Sequence, residues 1–278
     1  MTRKNIMLCY PYEDKRFNHW GGGAIIQPKL DGIRCRAVID GKGNATLYSS
    51  QDNVIISVPH INIALGLMKL KDIELDGELY VHGMPFEDIV SIAKRTKNIH
   101  PNSQDLQYHI FDIIKEQLQH QRIRNLISMM PTDRSIKRVT SYGVGSIQAI
   151  ERRYKQFINE GYEGFILRHL TALYKRSRAT TLLKYKPKKR DVYKIIGFME
   201  ERDIHGKLKN TLGAIVLSSG EGEGTFHVGI GFTNYQREYL WGMRETLLGK
   251  NCIIQYQQLT KANNVPRFPV FVDIQEEE

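Results

Sequence analysis

The sequence predicts an α+β chain in two parts. Residues 1–188 build antiparallel sheets interleaved with helices, and residues 189–278 build a small Greek-key β-barrel. Three observations predict this. Strand-like apolar runs alternate with helical patterns as far as residue 187. Beyond Pro187 the texture changes to short strands parted by Gly-rich turns, five of them with one helix in about ninety residues. The 278 residues, 41% hydrophobic and 25% charged, have a globular composition, which excludes disordered, collagenous and coiled-coil chains.

Taken in order, residues 24–26 lead into a strand pair, 33–39 and 45–49, joined by the hairpin-forming Gly41-Lys-Gly-Asn44. Val58-Pro59 opens a helix through residue 70, since proline is tolerated in a first turn. A strand at 73–81, a helix at 86–95 and a strand at 107–114 follow. Ser146 N-caps a helix that Gly161 stops, and strands 163–169 and 182–186 complete the first part. In the second part the strands fall at 192–199, 212–218, 225–230, 251–259 and 270–274, with a helix at 234–248 ending at Gly249. Pro187-Lys-Lys-Arg190 reads as a hinge, and Glu276-Glu-Glu278 as a frayed acidic end.

Forty Lys+Arg against 30 Asp+Glu give a net charge of +10, which suits nucleic acid, acidic partners or anionic lipid alike. Position says more than the total. Residues 174–190 pack eight cations into seventeen positions, a phosphate-contacting surface or a solvated linker. Three scattered cysteines, Cys9, Cys35 and Cys252, fit neither a disulfide framework nor a zinc ribbon and point to a reducing compartment. With no membrane-length apolar run and no secretion signal at the start, a cytosolic protein is expected.

Five segments are candidates for chemistry. In Lys29-Leu-Asp-Gly-Ile-Arg34 the lysine is a nucleophile only as the neutral amine, so its pKa must be lowered or its charge shielded. Attack on a nucleotide α-phosphorus would give a phosphoramidate, a high-energy nucleotidyl carrier. Gly32 allows close backbone approach and Arg34 suits an anionic phosphate, while a solvated surface turn is the plain alternative. In Glu74-Leu-Asp-Gly-Glu78 strand alternation puts Glu74, Asp76 and Glu78 on one face, either solvated or matched by a cation or sugar hydroxyls. Glu163-Gly-Phe-Ile-Leu-Arg168 offers a carboxylate suited to Mg²⁺, which takes one or two carboxylates plus phosphate oxygens. Lys184 and Lys186 share a strand face and would repel unless an anion lay between them. Near the end, Arg267-Phe-Pro-Val-Phe271 pairs a surface arginine with Phe268, Val270 and Phe271 as barrel core. The nine histidines lack metal-ligand spacing.

In this order the segments resemble the covalent nucleotidyltransferases, specifically small two-domain ATP-dependent DNA ligases of phage and viral type. Lys29-Leu-Asp-Gly-Ile-Arg34 is similar to the lysine-adenylate motif, Leu75-Asp-Gly-Glu78-Leu-Tyr to the ribose-contacting motif, and Tyr108-His-Ile-Phe111-Asp112 to the motif whose aromatic stacks on adenine. Glu163–Arg168 and Leu183-Lys184-Tyr-Lys186 resemble the metal and phosphate motifs; Val228-Gly-Ile-Gly-Phe-Thr233 and Arg267–Phe271 resemble barrel segments. The resemblance implies an adenylation (nucleotidyltransferase) domain over 1–188 and an OB-fold domain over 189–278. It implies a monomeric enzyme that uses ATP and Mg²⁺ or Mn²⁺ to seal nicked duplex DNA, in a host cytoplasm if phage-encoded.

Residue by residue, the resemblance makes Lys29 the adenylated nucleophile. Gln27, Arg34, Glu78, Phe111, Glu163, Lys184, Lys186 and Arg267 become nucleotide contacts, with Glu78 on the ribose, Phe111 on the base, Lys184 and Lys186 on the α-phosphate and Arg267 on the leaving pyrophosphate. Glu163 and Glu78 become metal ligands, and Arg34, Arg168, Arg176, Lys188 and Lys189 DNA contacts, Arg34 at the nick phosphate. Two departures stand out. Tyr48-Ser49-Ser50-Gln51 lacks the family's usual arginine, and Ile274-Gln275-Glu276 lacks the second cation of the last motif. Only a short basic loop spans residues 200–212, which implies a weaker grip on DNA than that of encircling relatives. An RNA ligase or GTP-dependent mRNA-capping guanylyltransferase shares the Lys-x-Asp-Gly nucleophile, though the barrel segments favour DNA ligase. A non-catalytic nucleic-acid-binding module would leave the ordered motifs unexplained.

Overall fold

The structure, a computed structural model, describes residues 3–129, 133–219, 224–257, 259–260 and 264–275; the acidic end at 276–278 lies outside them. It falls into two compact units, Met1–Lys186 and Pro187–Glu278.

The N-terminal unit holds two five-stranded sheets. One runs β4 (Ala45–Ser49), β3 (Ile33–Ile39), β5 (Ile73–Tyr80), β6 (Gln107–Ile113), β7 (Ile136–Arg138). The other runs β1 (Leu8–Pro11), β10 (Arg178–Tyr185), β9 (Phe165–His169), β2 (Ala24–Pro28), β8 (Tyr142–Val144). Both are antiparallel except at an edge, where β6·β7 and β1·β10 are parallel. The first sheet buries Leu47, Leu75, Leu79 and Tyr108 against Ile61 and Leu65 of helix α2 (Pro59–Leu67) and Ile89 of α3 (Phe86–Ala93). The second buries Ile26, Phe165, Leu167 and Leu183 against Ile150 and Phe157 of α5 (Ile147–Asn159). Ser146 caps α5 as its sequence suggests, its hydroxyl accepting from the Ala149 amide at 3.2 Å.

Several elements go unread in the sequence: β1, α1 (Asp14–Asn18), β7, β8 and α4 (Gln119–Ser128). Helix α4 escapes because half of what it buries is polar. Gln119 and Arg122 are as enclosed as Ile123 and Leu126. Arg122 is matched inside, donating to Asp112 at 2.8 and 3.2 Å, to Gln119 at 2.5 Å, and to the Gln117 and Ala172 carbonyls.

The C-terminal unit contains β13 (Thr225–Val228), β12 (Leu208–Ser218), β11 (Lys189–Arg202), β14 (Asn251–Tyr256) and β15 (Val270–Gln275), in that order across one sheet. Strand β11 serves two ladders, pairing through Lys194 with β14 and from Ile195 with β12. The five expected strands are present. Among the described residues no ladder closes β13 onto β15, although the Phe271 amide donates to the Ile230 carbonyl at 2.9 Å. Leu212, Ile215, Leu217, Val228, Cys252 and Ile254 form the core under α6 (Asn234–Gly242) and α7 (Arg244–Leu247), two pieces where one helix was expected.

Three expectations need correction here. Lys189 and Arg190 are the start of β11, paired with Tyr256 and Gln255, so of the expected hinge only Pro187 and Lys188 lie outside regular structure. Phe268 is not core: its backbone takes φ 54°, and the side chain is 61% exposed, with the Arg267 guanidinium over its ring. The basic loop at 200–212 is mostly strand, leaving a tight turn whose Asp203 carboxylate accepts from the His205 and Lys207 amides. No helix among the described residues is long and apolar enough to cross a membrane.

Candidate active site

Strands β2 and β9 pair as far as Pro28 opposite Phe165, and the ladder continues one step further. The Lys29 amide donates to the Gly164 carbonyl at 3.0 Å and the Glu163 amide to the Lys29 carbonyl at 3.2 Å. Two glycines then bring other segments in. A Cβ on Gly32 would lie 2.3 Å from the Leu79 carbonyl oxygen and 2.8 Å from Glu78 Cγ, so the Lys29–Gly32 turn rests directly on β5. A Cβ on Gly164 would lie 2.1 Å from the Tyr185 carbonyl oxygen and 3.2 Å from Lys186 Cα. Any side chain at either position would push the segments apart.

These contacts gather Lys29, Glu78, Glu163 and Lys186. The Lys29 and Lys186 ammoniums each donate to a different oxygen of Glu163, whose side chain is 8% exposed. Burial raises the Glu163 carboxyl, but Lys29 and Lys186 outweigh it and hold it below the usual range. For Lys29 burial works to lower the pKa. Glu163, then Glu78 and Asp31, outweigh it, and the value lies above that of an ordinary lysine. The expected lowering is therefore not met in this state: the carboxylates keep the Lys29 amine protonated. Half-buried Glu78 is lifted by burial to about 7, against the pull of Lys29 and Arg34. Asp31 is raised as well, by burial and by Glu163.

The carboxylate strand is not a solvated face. Arg34 and Arg36 on β3 lie opposite Glu78 and Asp76 and reach diagonally to the next acid. Arg34 holds buried Asp76 bidentately at 2.7 and 2.6 Å and also donates to the Met7 carbonyl at 3.2 Å. Arg36 donates to Glu74 at 2.7 Å and to Asp52 at 2.6 Å. Arg34 is thus already committed to a carboxylate where a nick phosphate was expected. The Tyr174 hydroxyl completes the Asp76 site at 2.5 Å, a role no motif signalled.

Beside this lies a second buried network. The β5·β6 register slips between Asp76 and Gly77, which leaves Phe111 as the bulged residue between Ile110 and Asp112. Its ring is 8% exposed, with the Arg34 guanidinium 4.6 Å and the Arg168 guanidinium 5.2 Å from the centroid. A stacked base would have to displace one of them. Arg168 is 3% exposed and donates to Gln27 at 2.7 Å and Asp112 at 2.8 Å. It is an interior ion pair, not a DNA contact. The Gln27 amide is also fully engaged, donating to the Phe111 carbonyl at 3.0 Å and to the Ser141 hydroxyl at 2.9 Å. Its side chain supports Phe111 and Arg168, where a nucleotide contact was expected.

Of the remaining cations, Arg176 is paired with Glu74 at 2.7 Å. Exposed Lys188 donates to Gln255 at 3.2 Å, and Lys189 is exposed on β11. Lys184 is exposed and has no carboxylate partner among the described residues. Burial of its stem and the charges of Lys29, Arg3 and Arg178 lower its pKa. Arg267 follows Pro266, which bridges to Leu259. No three His, Cys, Asp or Glu side chains among the described residues form a protein-only metal cage. Glu78 and Glu163 suit Mg²⁺ only as the one or two carboxylates it takes when phosphate oxygens complete its shell.

Residues 6–186 match the ATP dependent DNA ligase domain, and residues 205–275 the DNA ligase OB-like domain. The DNA ligase of African swine fever virus is 26% identical over 264 residues, a match spanning 87% of this chain and 61% of the viral protein. The DNA ligase of Haemophilus influenzae is 24% identical over 279 residues, covering 97% of this chain and 92% of that one. A solved Lig E DNA ligase shares the fold with a TM-score of 0.77, at 23% identity and covering 98% and 99% of the two chains. The first domain match alone takes in most of the sequence and contains Lys29, Glu78, Glu163 and Lys186 on the elements just described, so the chain belongs to the ATP-dependent DNA ligase domain family.

Proposed function

We propose that the chain is an ATP-dependent DNA ligase that seals nicks in duplex DNA. One observation carries the reading: a mostly buried lysine, Lys29, ion-paired to a carboxylate that it shares with Lys186, in a member of this family. In the first step Lys29 Nζ attacks the α-phosphorus of ATP, the bond to pyrophosphate breaks, and lysyl-AMP remains. AMP then passes to the 5′-phosphate of the nick, and the 3′-hydroxyl attacks that phosphorus and expels AMP.

Lys29 must lose a proton before it attacks, and Glu163, already its hydrogen-bond acceptor, is the nearest base. Arriving phosphates compete for Lys186 and Lys184, loosening the charge pairing that stabilises the Lys29 ammonium. Glu78 is assigned to the ribose and Phe111 to the base once the flanking guanidinium gives way. Glu163 and Glu78 would hold Mg²⁺ or Mn²⁺ together with the triphosphate, where it neutralises charge developing on the transferred phosphoryl group. Residues 1–188 carry the nucleotidyl chemistry and 189–278 the OB-type DNA-binding module, acting as a monomer on nicked duplex.

The test is intact-mass spectrometry after incubation with ATP. An adduct of about 329 Da, absent from Lys29→Ala, is expected. Labelling by GTP alone would move the protein to the capping guanylyltransferases. Sealing only an RNA-splinted nick would make it an RNA ligase.

A further inference from the structure

Tyr174 begins the basic run at 174–190, yet its ring turns inward and packs with Met7, Ala179 and Leu182. Leu173 before it bridges to Leu118, and Arg176 after it pairs with Glu74 at 2.7 Å, so the segment is pinned on both sides of the ring. The Tyr174 hydroxyl donates to Asp76 at 2.5 Å and accepts from the Met7 amide at 2.9 Å. Burial, and then the charge of Asp76, hold its pKa well above the ordinary tyrosine value, so it remains a donor. Met7 also reaches the active site. Its carbonyl accepts from Arg34 at 3.2 Å, and Arg34 spans Asp76 with Nε and Nη2. Four groups thus close a ring of hydrogen bonds: Tyr174 to Asp76, Asp76 to Arg34, Arg34 to Met7, and Met7 back to Tyr174. None of these bonds uses Arg34 Nη1.

A carboxylate held by one guanidinium alone can rock about its Cβ–Cγ bond and carry the guanidinium with it. A third donor on Oδ2, itself fixed, stops that motion. Asp76 is fully enclosed while the Arg34 side chain is 21% exposed, so the guanidinium sits at the rim of a buried seat. It lies 4.6 Å from the Phe111 ring centroid and close enough to Glu78 for each to favour the other's charge. We propose that Tyr174 is a positioning residue for Arg34, fixing it through Asp76 and Met7 so that Nη1 is presented to the 5′-phosphate of the nick. This deepens the ligase reading and rests on it for the identity of the phosphate. A hydroxyl that only satisfied Asp76 and the Met7 amide would serve stability, with no need for the ring to close through an active-site arginine.

The experiment reads AMP transfer from preformed lysyl-AMP to a nicked duplex in a single turnover, alongside hydrogen exchange at the arginine Nε–H groups by nuclear magnetic resonance. Tyr174→Phe should slow the transfer about 30-fold, within the roughly 100-fold that a small misplacement costs. In Arg34→Gln, which keeps a donor for Asp76, adding Tyr174→Phe should change the rate less than about twofold, because no guanidinium remains to be placed. Exchange at Arg34 Nε–H should quicken in Tyr174→Phe, while Arg122 Nε–H, held on Asp112 at 2.8 Å, stays protected. An unchanged transfer rate in Tyr174→Phe would overturn the proposal. So would an equal fold-loss in the wild-type and Arg34→Gln backgrounds, the mark of a structural hydroxyl. If the wild-type protein forms no lysyl-AMP, the ligase reading fails. Quickened Arg34 exchange would then still support Tyr174 as the residue that places Arg34, and unaltered exchange would overturn it in either case.

Discussion

Lys29 and Lys184 differ by their surroundings, and the difference has a sign. The carboxylates around Lys29 raise its pKa, whereas burial and neighbouring cations lower that of Lys184. In nucleotide-free protein treated with acetic anhydride at increasing pH, Lys184 should therefore acetylate at lower pH than Lys29, read by peptide mass spectrometry. Glu163→Gln should shift Lys29 toward lower pH; no shift would mean that the Glu163 ion pair does not govern the amine. Glu78 supplies a second pH test. Its pKa of about 7 in the folded chain exceeds the ordinary carboxyl value, so the folded state retains a proton that the unfolded state has released. Glu78 thus costs stability increasingly as pH rises from about 4.5 to 7. Glu78→Gln should raise the melting temperature more at pH 8 than at pH 5. Lys29, Glu163 and Lys186 stood out by residue type at motif spacing, and the fold brings them together. Their charge states were not legible, because those depend on which acids the fold places around one ammonium. Arg168 shows the same limit. Its strand was anticipated, but only the fold sets it against Asp112 and Gln27 inside the protein.

Helix α4 and the strands on either side of Asp112 depend on one another. Asp112 is fully buried, and so is Arg122. Asp112→Asn would leave Arg122 and Arg168 without their shared counter-charge. By the usual cost of breaking a buried pair, the N-terminal unit should lose about 3–5 kcal/mol, measurable by guanidinium unfolding. The Gly32 turn gives a test with a different outcome. Gly32→Ala places a methyl against the Leu79 carbonyl, so the turn must rise off β5 while the sheet beneath keeps its core. Lysyl-AMP formation should fall about 100-fold with little change in far-UV circular dichroism. Most strands followed from apolar alternation, β3 and β4 to the residue. Helix α4 did not, because a helix that buries an arginine has no apolar stripe to read.

For the whole molecule, charge and topology set the expectations. If the basic run meets DNA, nicked-duplex affinity should drop steeply between 50 and 200 mM salt. A flat response would reduce those cations to a solvated surface. The turn at 203–207 reaches only a short way past β11 and β12, so the grip should be weaker than in relatives with a long encircling hairpin. The net charge of +10 was legible from the start, but which cations already have internal partners was not.

The parallel pairing of β1 with β10 has a consequence for the order of events during synthesis. The Met7 amide donates to the Tyr174 hydroxyl across 167 residues of chain, and among the described residues β1 finds its only ladder partner in β10. Strand β1 therefore waits unpaired until nearly the entire unit has emerged from the ribosome. A nascent chain halted before residue 174 should expose it to proteases that the finished protein resists.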